Sequence, residues 1–244
     1  MIESAFYREL WPELFAGFKL SLAIILPSAL GGLALGMVVG LIRGTGYPRC
    51  LVRPCQAYVS LFRGTALVVQ LFICYYGLPE LGLLLKPFCQ ARGLPDELWR
   101  LFYPSAYGTS VFVFILCSGA YHSEYIRGAI LSIKRGQFMA ARALGFNKGQ
   151  SFTALILPQA LRLAWPGCSN EIIYLIKYSS LAYIVTVKEL TGAAFSVGSY
   201  YFRYTEAFFC AALFYLALVT LATWLFSRLE RAWAVPGFGR PCER

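Results

Sequence analysis

Three stretches of more than twenty residues carry no charge at all: residues 20–42, 101–123 and 207–227. A helix needs about 20 predominantly apolar residues to cross a bilayer, so each stretch is long enough. A fourth, residues 64–79, extends back through Phe62, Leu61, Val59 and Tyr58 if Arg63 sits near an interface. A fifth, Leu163 to Val187, is apolar but interrupted by Glu171 and Lys177. The composition agrees: 58% of residues are hydrophobic and 14% charged, against about 45–50% and 25% in soluble domains. That excludes a soluble enzyme and a disordered chain. The expectation is an all-α polytopic protein, one membrane domain over 1–244, with five transmembrane helices at about 18–42, 56–79, 101–123, 163–187 and 206–227. The first is too long for a signal-peptide core and lacks a cleavage pattern, so it is read as retained. Its Gly32, Gly36 and Gly40 recur every fourth residue and offer a face for close helix packing. Pro27 is placed to kink it.

Five crossings put the termini on opposite sides. The loop 43–55, the loop 124–162 and the tail after 227 hold thirteen Lys and Arg, whereas the N-terminus, the loop 80–104 and the stretch 188–206 hold seven. Positive residues collect on the cytoplasmic side, which places the N-terminus outside and the C-terminus in the cytoplasm. The formal net charge of +10 is thereby explained. Its basic residues are spread over three loops rather than along one stripe, which argues against nucleic acid as a partner.

No chemistry of catalysis is visible. Eight cysteines include no C-x-x-C pair, and four of them (Cys74, Cys117, Cys168, Cys210) fall inside expected spans. The single histidine, His122, adjoins Ser123 and Glu124. Neighbours on a helix point about 100° apart, so the three cannot form a triad. No phosphate loop, zinc-protease or nucleophile-elbow motif is present. If the chain works with ATP, another subunit must bind it.

An ionisable residue inside a span is a functional hypothesis by default. On a helical wheel of the fourth span Asn170, Glu171, Tyr174, Lys177 and Tyr178 share an arc of about 120°. Such a stripe must face other helices or a water-filled cavity. Two readings stand: Glu171 and Lys177 pair with other charges and hold helices together, or the stripe lines a pathway for a polar solute. In the second, Lys177 would hold a carboxylate and Glu171 an ammonium. Arg63 can neutralise a carboxylate in the path, bind lipid phosphate or bind the third span. With Ser180 it completes the set of pathway candidates.

The long inner loop at about 132–158 is the most informative stretch. Gln137 to Leu144 contains good helix formers and ends at Gly145, a natural left-handed stop. A second short helix is expected from Asn147 to Pro158. Two short helices joined at a glycine make a projection that can dock into a partner.

This stretch resembles the EAA coupling loop of the permease subunits of bacterial ABC importers, most closely the polar amino-acid branch, the histidine/glutamine permease group. The resemblance rests on Gln137, Ala140, Ala141, Ala143, Leu144 and Gly145, then Ile156-Leu-Pro-Gln-Ala-Leu-Arg162. It continues through Pro166, Asn170, Glu171, Lys177, Ser179-Ser-Leu181 and Glu189-Leu-Thr191. Upstream, Phe62-Arg-Gly-Thr65, Gln70-Leu71, Tyr76-Gly-Leu-Pro79 and Glu124-Tyr-Ile-Arg-Gly128 also match. The resemblance implies a type I importer permease in the bacterial inner membrane, paired with itself or a sister permease. Two cytoplasmic ATPases would dock on the coupling loops, through Gln137, Met139, Ala140, Ala141, Arg142, Leu144 and Gly145, and would bind the ATP and Mg. The chain itself would need no cofactor or metal. An extracytoplasmic binding protein would deliver an amino acid.

Two positions depart from the family pattern. Met139 stands where the family usually has Glu, leaving only apolar contact for the ATPase groove. Tyr178 stands where it often has Asp, which argues against a basic solute and for contact with an apolar or sulfur-containing side chain. The alternatives are a stand-alone secondary transporter or channel, which would leave the inner loop without a role, and a membrane enzyme, which lacks a nucleophile–base pair.

Overall fold

A computed structural model describes residues 2–90 and 102–233. The described residues are almost entirely helical, with no strand among them. Helix α1 spans Ile2–Thr45, 44 residues, about 66 Å at 1.5 Å per residue. That is twice the hydrocarbon thickness of a bilayer, so α1 extends well past the expected span 18–42. Helix α2 is Arg49–Gly64. Helix α3 begins at Leu67–Phe72, passes a π turn at Ile73–Gly77 and continues as Leu78–Gln90. Helix α4 is Ala106–Ser132, and α5 is Arg135–Ala143. Helix α6 starts at Lys148–Gln150, passes a π turn at Ser151–Ile156 and runs on through Leu157–Tyr178 into a 3-10 turn at Ser179–Val185. Helices α7 and α8 are Leu190–Tyr201 and Tyr204–Ala232. Among the described residues, three stretches are long and apolar enough to cross a membrane: Ala5–Thr45, Leu67–Pro87 and Tyr204–Ala232.

Several boundaries differ from the sequence reading, each for a physical reason. The stretch 56–79 is two helices, not one. Thr65 is extended at φ −117° and ψ 150°, and breaks the chain between α2 and α3. The break is tolerated because Gln70 repairs it. Its Nε2 donates to the carbonyl of Phe62 at 2.9 Å and to the hydroxyl of Thr65 at 2.8 Å. Apolar surroundings permit broken helices only where freed carbonyls find such partners. Helix α4 overruns its apolar window by nine residues, because Glu124 and Arg127 pair with each other inside it. The helix expected to stop at Pro158 instead merges with the fourth span. Pro158 has no N–H to give to the preceding turn, and the π turn ahead of it takes up the mismatch. The stretch 188–206, read as a loop, contains α7. The charges at Arg92, Asp96, Glu97, Arg100, Arg240 and Arg244, together with Leu101, Cys242 and the side chain of Cys89, lie outside the described residues.

Helix α1 is the axis of the fold. Its glycines meet α4 at every turn of contact. A Cβ on Gly32 would lie 2.8 Å from Ser118 Oγ, one on Gly40 would lie 2.9 Å from Ile126 Cβ, and one on Gly36 would overlap His122 Cβ. Gly44 continues the row against Ile130. The fourfold glycine spacing was therefore a packing signal, because only a missing Cβ allows the two backbones this close. The N-terminal part of α1 packs Phe6, Leu10 and Leu14 against Leu190, Ala193 and Val197 of α7 and Ala207 of α8. The middle joins Ile24 and Ile25 to Leu71, Phe114 and Leu175. At the other end Ile126 and Ile130 of α4 pack on Ile156, Ala160 and Ala164 of α6. Helix α8 carries no charge from Ala207 to Ser227, yet only 6% of its most apolar window is buried. That is the pattern of a helix made to face lipid or another chain.

Candidate functional site

Three acids on the helices are held in three different ways. Glu124 of α4 sits where α1, α2 and α4 converge. Arg43 donates to its Oε1 at 2.7 Å, Arg127 to its Oε2 at 3.0 Å, and Arg63 lies 3.4 Å from Oε1. Arg43 also reaches Ser123 Oγ at 3.4 Å. Arg63 lies over the ring of Tyr121, 5.3 Å from its centroid. Of the roles open to Arg63, the one observed is a bond to α4.

Glu189 is fully buried and caps α7, accepting from the backbone N–H groups of Thr191 and Gly192, both at 3.0 Å. Tyr215 of α8 donates to it at 2.7 Å, and Ser21 of α1 lies 3.4 Å away. One carboxylate thus ties three helices together. Sequence reading used Glu189 only as part of the Glu189-Leu-Thr191 match and gave it no structural role. Its signal was available, since an acid followed by Leu-Thr-Gly at the start of an apolar run reads as an N-cap.

Glu171 of α6 has no cation bonded to it among the described residues. It is 3% exposed and accepts a hydrogen bond from Tyr178 at 3.1 Å. Tyr178 packs edge-on against Phe114 of α4, with ring centroids 5.5 Å apart. The polar stripe is therefore split. Its Glu171–Tyr178 edge turns toward α4, while Asn170, Tyr174 and Lys177 are exposed. Lys177 Nζ lies over the Tyr174 ring, 5.2 Å from its centroid, and no carboxylate pairs with it among the described residues. Ser180 donates to the carbonyl of Lys177 at 2.9 Å and shapes the turn after α6. Among the described residues no ion-pair partner meets Glu171 or Lys177. His122 is buried, with Nδ1 2.7 Å from the carbonyl of Ser118, and it packs at the glycine contact.

The stretch from α5 to α6 forms a compact projection. Gly145 has φ +86°, a left-handed conformation that costs a β-carbon residue energy. Its N–H donates to the carbonyl of Arg142 at 3.0 Å, and that of Phe146 to the carbonyl of Ala141 at 3.1 Å. This is the Schellman pattern of helix closure. Two residues on, Asn147 and Gln150 cap the next helix reciprocally, at 2.8 and 3.0 Å, as a capping box does. The reversal is thus fixed by four backbone-level hydrogen bonds. On it Ala140, Arg142, Met139 (68%) and Leu144 (78%) are exposed, whereas Ala141 is buried and Gln137 half-buried. An open cavity of about 640 Å³ separates the projection from the end of α1, lined by Tyr47, Ile130, Phe138, Arg142, Lys148 and Phe152 among others.

The comparisons with known proteins agree with one another. Residues 32–235 match the family described as binding-protein-dependent transport system inner membrane component. The octopine transport system permease protein OccM of Rhizobium meliloti is 36% identical, over 92% of this chain and 87% of the relative. The arginine transport system permease protein ArtQ of Bacillus subtilis is 34% identical, over 90% and 92%. The histidine/lysine/arginine/ornithine transport system permease protein HisM of Salmonella typhimurium is 32% identical, over 93% and 95%. Among solved structures, an amino acid ABC transporter with histidines superposes with a TM-score of 0.76 at 26% identity, covering 91% of this chain and 94% of that one. The methionine ABC transporter MetNI superposes with a TM-score of 0.71 at 20% identity, a likeness of fold. With residues 32–235 matched by the family model and relatives 32–36% identical over nine-tenths of its length, the chain belongs to the family of inner-membrane components of binding-protein-dependent transport systems.

Proposed function

We propose that this chain is the permease subunit of an ATP-driven importer of amino acids, crossing the bacterial inner membrane five times with its N-terminus outside. The observation that carries the reading is the projection between α5 and α6. It is rigid, it presents Met139 and Leu144 to the outside, and it gives a partner ATPase dimer a place to push. Two exposed helical surfaces, α8 and the Asn170–Tyr174–Lys177 face of α6, suit a second permease, either another copy or a sister subunit. ATP and Mg would bind to the ATPase partner, and this chain would hold neither.

The solute enters between the permeases, past Lys177, Tyr174 and Asn170, with Tyr178 and Glu171 behind them and Arg63 and Ser180 at the margins. Tyr178 in place of the family's acid argued against a basic solute. The relatives are named for octopine, arginine, histidine, lysine and ornithine, and these names point the other way. Glu171, two helical turns closer to the middle of α6, supplies the missing negative charge. Basic amino acids are therefore the first solutes to test, delivered by an extracytoplasmic binding protein.

The test is purification of the tagged chain with the ATPase and binding protein encoded beside it, followed by reconstitution into vesicles. The expected result is a stable complex whose uptake of arginine, lysine or histidine stops without ATP. Failure of any ATPase to copurify, or uptake that persists without ATP, would overturn the reading in favour of a stand-alone transporter.

A further inference from the structure

The turn between α7 and α8 carries a feature that transport through the middle of the protein does not use. Phe202 closes α7 with φ +56°, in the position where helices ordinarily place glycine. A bulky aromatic there is a true backbone outlier. The chain does not hold it in place by packing, because Phe202 is 86% exposed and no ring stacks on it among the described residues. Among the described residues the other non-glycine one with positive φ, Thr186, has its hydroxyl 3.3 Å from that of Tyr75. Strained residues persist only where their surroundings hold them, and they cluster at functional sites.

The neighbours of Phe202 explain how the strain is sustained. Tyr201 donates to Glu9 of α1 at 2.7 Å and packs edge-on against Phe6, with centroids 5.6 Å apart. Arg203 lies over the Phe6 ring at 5.3 Å and pairs with Glu206 at 2.7 Å. The N–H of Arg203 bonds back to the carbonyl of Gly198 at 2.9 Å. Residues 201 and 203 thus anchor the turn to α1 and α8. Residues 200 and 202 point away, with Tyr200 75% exposed. The result is two aromatic side chains on a rigid mount. Pre-organised aromatics of this kind are what protein interfaces use as anchors, because little side-chain or loop entropy is lost on binding.

We infer that Tyr200 and Phe202 form a docking knob for the extracytoplasmic binding protein, inserting into an apolar recess on its permease-facing surface. The inference rests on the orientation given under Proposed function, which puts the α7–α8 turn outside. The occupant follows from the family, whose members depend on a binding protein, and from the charges beside the turn. Glu9, Arg203 and Glu206 place it at or beyond the edge of the hydrocarbon, where a soluble partner can reach.

The experiment measures binding of the solute-loaded binding protein to the complete transporter in lipid nanodiscs. Phe202→Gly removes the ring and also relieves the backbone. It should therefore leave the thermal midpoint unchanged or raised while weakening the dissociation constant at least tenfold. Tyr200→Ala should weaken it several-fold. Phe202→Ala, which keeps the strain, should match Phe202→Gly in binding and fall below it in thermal midpoint. Binding within twofold of the unaltered transporter in all three variants would overturn the knob. So would a Phe202→Gly variant that keeps its affinity but becomes less stable in the nanodisc, since the ring would then be a lipid anchor. Absence of any binding by the unaltered transporter would instead sink the importer reading itself.

Discussion

Glu124 and Glu171 are both carboxylates on helices that run through apolar surroundings, and the protein treats them in opposite ways. Glu124 is 19% exposed at its side chain and has three arginines within 3.4 Å. Glu171 is 3% exposed and has one tyrosine hydroxyl. A buried charge left without a cation is costly. A protein that surrounds one acid with arginines and leaves another without any is using the two differently. The first fixes where α1, α2 and α4 meet. The second leaves coordination capacity unspent on the same helix, α6, that carries Lys177. Charge pairing thus distinguishes the junction of α1, α2 and α4 from the part of α6 proposed to meet the solute, and substitutions can test whether the division holds.

The largest effect is expected at Glu124. Glu124→Ala leaves three guanidinium groups facing one another, one of them only 10% exposed. Removing one member of a buried pair costs roughly 3–5 kcal/mol, and partial exposure here lowers that to about 2–3 kcal/mol. Thermal unfolding of the purified complex should show it, with uptake falling in proportion to the folded protein that remains. A variant that stays fully stable but transports nothing would move Glu124 to the functional side.

Glu171→Gln should do the reverse. The amide oxygen still accepts from Tyr178, so stability should change by less than about 1 kcal/mol. Loss of the negative charge should raise the concentration of arginine or lysine needed for half-maximal uptake by about tenfold, equivalent to about 1.4 kcal/mol. Neutral amino acids should be affected less. Equal kinetics for basic and neutral solutes would make Glu171 a packing residue.

Much of this division was legible in the sequence. Charge-free windows located the apolar helices because hydropathy depends only on local composition. The fourfold glycines announced the α1–α4 contact because close approach demands a missing Cβ. Gly145 and Asn147 marked the reversal between α5 and α6, since caps are made by residues one to three positions apart. What the sequence hid was long-range. Gln70 repairs a break whose carbonyls belong to Phe62 and Thr65. Glu189 bonds to Ser21 and Tyr215, 168 and 26 positions away. The split of the α6 stripe depends on α4 covering the edge that bears Glu171 and Tyr178. No helical wheel of α6 contains that information.

Lys177→Ala bears on the same side of the comparison with a smaller expected effect. The ammonium is exposed and, among the described residues, lies against the Tyr174 ring, a contact of about 0.5–1 kcal/mol at such sites. The fold and the ATPase contact should survive. The solute-stimulated ATPase rate of the assembled complex should fall by several-fold. Unchanged stimulation would remove Lys177 from the pathway.

The smallest effect is expected at Arg63, and it is the most discriminating. Its guanidinium is 43% exposed and stands 3.4 Å from an oxygen that Arg43 already holds at 2.7 Å. An exposed pair of this kind contributes about 0–1 kcal/mol, and screening by salt reduces it further. Arg63→Ala should therefore lower the thermal midpoint by a degree or two in low salt, and by nothing measurable in 0.5 M salt, with uptake unaltered. Destabilisation as large as that of Glu124→Ala would mean that the node depends on all three arginines together rather than on Arg43. A normal thermal midpoint with impaired uptake would break the division more deeply. Arg63 would then be serving the solute while bonded to the acid assigned to architecture, and the Glu124 node would be the inner end of the pathway.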